Sequence, residues 1–227
     1  MQRLYITTNN MKKILFIAFL AVFAAITASA QNAGQLQDNW YEHLQDNWQK
    51  TITVPNSQAA IIEKLFSAWG KEFPNCFVDA YNKFKKTGEA DNIKINDKYE
   101  EDFDVELAPK NGYLELRMPM VEPNDFVTAV YWNLPTGNKL FAVSVQIGKD
   151  VEVHADSKFS DLYYYILAFY EYDIKKGILT PRPEISKKLL GITKYEYVSL
   201  PKEGRDVGYY DKKTDEYKVI KWNGNGF

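Results

Sequence analysis

The chain has 227 residues, 45% of them hydrophobic, 15% aromatic and 26% charged, with 28 Lys and Arg against 30 Asp and Glu. That composition excludes a disordered chain, a collagen-like repeat and a disulfide-stapled miniprotein. The mild net acidity argues against a nucleic-acid binder, which carries a basic face.

The first 30 residues read as an export label. From Met11, Lys12 and Lys13 form a short basic region and Ile14 onward an apolar one. Ala28-Ser29-Ala30 then offers small residues at the −3 and −1 positions of a signal-peptidase site. The expectation is a bacterial signal peptide spanning 1–30, with translation starting at Met11 and cleavage after Ala30. A transmembrane helix is the competing reading of the apolar run. No Cys stands just after the cleavage site, so no lipid anchor of the usual kind is expected, and no second spanning run follows. The predicted location is periplasmic or secreted. The remaining chain divides into an N-terminal helix and connector over 31–56 and one α+β domain over 57–227.

In chain order, a direct repeat comes first: Leu36-Gln37-Asp38-Asn39-Trp40, then Leu44-Gln45-Asp46-Asn47-Trp48. Spacing of four places both tryptophans on one helical face, although a strand would also align them. Asn56 or Ser57 can cap a helix over 57–70 carrying Ile62, Leu65, Phe66 and Trp69, with Gly70 weakening its end. Pro74 opens a second helix over 75–87, with Phe77, Ala80, Tyr81 and Phe84 as its apolar stripe and Gly88 as its stop. The lone Cys76 lies in this apolar setting and reads as a buried thiol.

From about residue 91 the period changes to two. Phe103, Val105 and Leu107 alternate before Asn111-Gly112, and Leu114, Leu116 and Met118 alternate after it, which predicts a hairpin. Residues 126–133 and 139–147 form a second hairpin across Leu134-Pro135-Thr136-Gly137-Asn138. Residues 162–172 are apolar on both parities and read as a central strand covered on both faces, with a helix as the alternative. A short strand at 178–180, a short helix over 184–190 closed by Gly191, and a meander over 195–200, 207–210 and 217–222 complete the chain. Recurring strand ends about 40 residues apart suggest propeller blades, but the helical third leaves too few residues to close one. The predicted class is α+β: N-terminal amphipathic helices packed on a mainly antiparallel sheet of successive hairpins.

Motifs for nucleotide binding, nucleophilic catalysis or zinc are absent. On a strand, Glu152, His154 and Asp156 would share one face and offer three metal-liganding side chains, although a solvated charged edge strand is the favoured reading of the same pattern. No cofactor is expected. The unusual quantity is aromatic, with 16 Tyr, 13 Phe and 5 Trp. Tyrosine and tryptophan bury large area, lose little entropy and keep a polar tip, so an exposed group of them makes a recognition face. The candidate face comprises Trp40, Trp48, Tyr163, Tyr164, Tyr165, Tyr209 and Tyr210. The expected function is a non-catalytic binding or interaction domain for a protein or glycan, with no nucleic-acid partner and no membrane span after cleavage. The alternative is an envelope hydrolase acting on glycan or peptide, which would use paired carboxylates or histidine chemistry.

Overall fold

A computed structural model describes residues 40–95, 99–119, 125–149, 162–194, 196–211 and 213–227. The export label, the Glu152/His154/Asp156 trio and Tyr195 lie outside the described residues.

The described chain begins with three helices. Helix α1 (Trp40–Asn47) runs from the last residue of the first repeat copy to Asn47 of the second, and leads to the short strand β1 (Ile52–Thr53). Helix α2 (Ile61–Glu72) begins four residues later than the predicted span of 57–70. Its first turn is closed by Glu63, which accepts the Ala60 N–H at 3.1 Å and takes Lys85 of the next helix as an ion pair. Helix α3 (Cys76–Thr87) starts where Asn75 accepts the Val78 N–H at 3.1 Å. It stops at Gly88, whose φ of 83° lets its N–H close on Phe84 O at 2.8 Å.

Gly70 does not end α2. A Cβ there would stand 2.7 Å from both Val78 methyls, so its missing side chain sets how closely α2 and α3 approach. Between them, the rings of Phe66, Trp69, Phe73 and Tyr81 make successive contacts of 5.1–5.6 Å.

A small ladder of β2 (Ile93–Lys94) and β3 (Glu100–Glu101) follows, then the main sheet. Its strands are β4 (Asp104–Ala108), β5 (Tyr113–Met118), β6 (Asp125–Asn133), β7 (Lys139–Gly148), β8 (Tyr163–Asp173) and β9 (Ile178–Pro181). They pair antiparallel in sequence order, and β1 adds beyond β9 to give seven strands. The α+β class with an antiparallel sheet is therefore what the chain adopts.

The hairpin predicted across 108–112 forms, with Asn111 and Gly112 in its turn. Ala108 pairs with Tyr113, leaving the four-residue loop 109–112, in which Gly112 takes φ 70°. The Tyr131 ring packs against Gly112 where a Cβ would stand.

Alternation divides the sheet into two faces. Leu114, Ala129, Val143 and Ala168 form one cross-strand row, in a buried cluster that also counts Ile62, Phe66 and Phe77. The neighbouring row, Tyr113, Val130, Ala142 and Phe169, belongs to a second cluster with Ile185, Leu189 and Phe227. Strand β8 is apolar on both parities for this reason.

Helix α4 (Pro183–Thr193) runs two residues past the Gly191 stop and ends at Lys194, in the left-handed conformation at φ 55°. The final meander does not extend the main sheet. Strands β10 (Val198–Ser199), β11 (Val207–Asp211) and β12 (Glu216–Ile220) make a separate three-stranded antiparallel sheet. Val198 and Val207 on its inner side join the second cluster.

Candidate functional site

The seven aromatic residues singled out from sequence do not form one surface. Trp40 and Trp48 are half-buried. Trp40 lies 6.1 Å from Phe77, and Trp48 meets Tyr170, whose hydroxyl donates to Trp48 O at 2.6 Å. The triple tyrosine splits by strand alternation. Tyr164 points to the same side of the sheet as Ile166, Ala168 and Tyr170 and is 46% exposed, with Tyr41 at 4.8 Å and Lys149 Nζ at 4.7 Å from its ring. Tyr163 and Tyr165 point the other way, and both are half-buried. The Tyr165 hydroxyl is held by Ser144 at 3.2 Å and by the Val198 N–H at 3.1 Å, and burial pushes its pKa up to about 12.

Tyr209 lies on the inner side of β11, opposite Lys218, at a cavity of about 80 Å³ that Thr193, Lys194 and Asp211 also line. That volume is about two to three times a water molecule's share of liquid and far below a small-molecule pocket.

Tyr210 is the member that meets other exposed aromatic surface. It pairs directly across the strands with Tyr217, and Gly208 pairs with Val219. Residues directly opposite in an antiparallel ladder share a face, so Gly208, Tyr210, Tyr217 and Val219 lie together on the outer side of the three-stranded sheet. Their exposures are 46% for Tyr210, 61% for Tyr217 and 50% for Val219. The Tyr217 ring lies across Gly208: a Cβ added there would fall 1.7 Å from the Tyr217 hydroxyl oxygen. Glycine thus lets this ring lie down on the sheet. The Tyr210 hydroxyl is fixed by Asp215, which raises its pKa. Sequence reasoning missed Tyr217 and Val219. The signal available was the alternation of Tyr217, Val219 and Lys221 opposite a strand glycine.

A second group lies on the edge of the main sheet. Glu106 and Glu115 are direct cross-strand partners. Glu115 accepts from Arg117 at 2.8 Å, the Tyr113 hydroxyl at 2.8 Å and Thr128 Oγ1 at 3.3 Å, while Glu106 takes Lys202. Burial first, then the Glu115 hydrogen bond and charge, push the Tyr113 phenol far above its ordinary value. The pair therefore binds its own neighbours on every side.

Cys76 is buried, and burial followed by the Asp125 charge pushes its thiol up to about 12, which removes nucleophilic character. Among the described residues no group of three His, Cys, Asp or Glu is arranged to hold a metal ion, and no helix is long and apolar enough to cross a membrane. Compared with protein-family models, curated proteins and solved structures, the chain matches none.

Proposed function

We propose that this chain is an extracytoplasmic, non-catalytic binding domain whose protein or glycan ligand lies on the outer face of the three-stranded sheet. The observation that carries the reading is the exposed Tyr210–Tyr217 pair, with the Tyr217 ring laid over Gly208 and Val219 beside it. A ring held flat against backbone loses little entropy on binding and offers apolar area with a polar rim. Stacking on a sugar or on an apolar side chain both use that geometry.

The same reading makes the helices α1–α3 a structural cover over one sheet face. It also takes 31–56 as a connector, 57–227 as one domain, and the export label as the reason the ligand is met outside the cytoplasm. The test is a glycan array and a capture experiment from envelope extract, each run with wild type, Tyr217→Ala and Tyr164→Ala. The expected result is a ligand lost tenfold or more with Tyr217→Ala and kept with Tyr164→Ala. A ligand bound equally by all three proteins sinks the assignment.

The facing carboxylates favour a second reading, an envelope hydrolase for glycan or peptide. Glu106 and Glu115 stand on adjacent strands, and Lys202 borders an open hollow of about 390 Å³. Three donors already occupy Glu115, which leaves little capacity for a substrate. Turnover of a polymeric glycan or peptide that disappears with both Glu106→Gln and Glu115→Gln would put this reading first.

A further inference from the structure

The three-stranded sheet has an edge as well as a face. Strand β12 pairs with β11 on one side, and among the described residues no strand pairs with its other side. An edge of this kind presents a row of backbone N–H and C=O groups that template a further strand. We propose that the partner at this edge is a second copy of the same chain, joined by antiparallel β12–β12 pairing about a two-fold axis through Lys218. The inference does not depend on the ligand-binding reading, because it uses the strand edge and leaves the sheet face open.

Charge and shape complementarity single out the second copy. A two-fold axis perpendicular to the sheet keeps outer side chains facing outer ones, so only registers that pair odd with odd residues are allowed. The register centred on Lys218 sets Tyr217 opposite Val219 of the other copy, and Val219 opposite Tyr217.

One residue beyond β12 at each end, Asp215 comes opposite Lys221 and Lys221 opposite Asp215, giving two opposite-charge pairs. Both residues lie on the outer side: Asp215 meets the outward Tyr210 hydroxyl, and Lys221 meets Asp206 at 2.7 Å. On the inner side Glu216 faces Ile220 and the two Lys218 residues face each other. Their like charge is relieved because each Lys218 Nζ already lies 2.5 Å from its own Asp211. Joined this way, the two small sheets form one continuous sheet, and both Tyr210–Tyr217 pairs lie on the same side of it.

A short edge buries less than the roughly 1,000 Å² of a stable interface, so the dimer is a weak one. Sedimentation velocity of the purified protein between about 1 µM and about 1 mM, the span of weak affinities, is the test. The expected result is a mass that rises toward twofold across that range. Asp215→Lys and Lys221→Asp should each abolish the rise, since each sets like charges opposite one another twice. An equimolar mixture of the two variants should restore it, because one copy of each makes two opposite-charge pairs again.

The mixture separates lost pairing from lost folding, and lysine tolerates the left-handed backbone of Asp215 (φ 56°), as Lys194 shows at φ 55°. Wild type that stays monomeric at about 1 mM overturns the proposal and leaves the edge to an extended segment of another protein. Variants that dimerise alone, or a mixture that stays monomeric, also overturn it.

Discussion

Asp125 is the described residue whose charge the fold accommodates least well, and replacing it with Asn isolates the cost. It opens β6 and is half-buried, and its Oδ1 accepts the Gly148 N–H at 2.6 Å, tying β6 to the end of β7. Burial raises its carboxyl pKa from 3.8 to about 6, with the Gly148 bond pulling the other way. The folded chain therefore holds this proton at pH values where the unfolded chain has released it. Stability then falls as pH rises from about 4 to about 6, and stays lower above that window.

The displacement from 3.8 to about 6 corresponds to about 3 kcal/mol. Part of the group reaches water, and screening reduces that figure to about 1–2 kcal/mol. Asp125→Asn keeps the acceptor for Gly148 and removes the charge. Urea unfolding followed by tryptophan fluorescence should show a gain of about 1–2 kcal/mol at pH 8, or roughly 3–6 °C in Tm, and almost none at pH 4. A difference independent of pH, or a variant less stable than wild type at pH 8, would refute the account of this site.

Three further outcomes follow from the packing. Phe227 lies 5.2 Å from Trp222, 5.4 Å from Trp132 and 6.1 Å from Phe169, so Phe227→Ala should cost about 3–5 kcal/mol in urea unfolding; a loss under about 1 kcal/mol would contradict that lock. Gly70→Ala would stabilise an ordinary helix interior by about 1 kcal/mol, but here it should destabilise, with Val78→Ala recovering much of the loss. Measured stability of the single and double variants decides the sign. Cys76 should resist a thiol-reactive disulfide reagent in the native protein and react fully in denaturant, as followed by absorbance; fast native labelling would place the thiol elsewhere.

What was legible in the sequence was the part governed by local periodicity. The stripes of α2 and α3 and the alternation of β4 and β5 depend on residues three, four or two apart, and they appear where the pattern puts them. Errors arise where tertiary contact overrides a local signal. Ser57 is a good cap in isolation, yet α2 begins at Ile61 because Glu63 closes its first turn and also takes Lys85 from α3. Gly70 reads as weakening a helix end and Gly191 as a helix stop. Gly70 is instead a close-packing position, and α4 ends at Lys194 without using Gly191.

The final meander has the same alternation as the main strands, and nothing local tells a strand which sheet it joins. The aromatic residues show the same limit. Tyr163, Tyr164 and Tyr165 are adjacent in sequence and divided by the pleat, whereas Tyr210 and Tyr217 are seven apart and meet because a turn brings β12 back along β11. Composition pointed to tyrosine, and pairing picks out which tyrosines.

The central claim is that the outer face of the three-stranded sheet is where the ligand lies. Hydroxyl-radical footprinting of the protein with and without its captured protein or glycan tests it residue by residue. Tyr210 and Tyr217 should be protected together, while Tyr99, 62% exposed, and Tyr164, 46% exposed, keep their reactivity. Protection at Tyr164 or Tyr99 with Tyr217 still fully reactive would contradict the account.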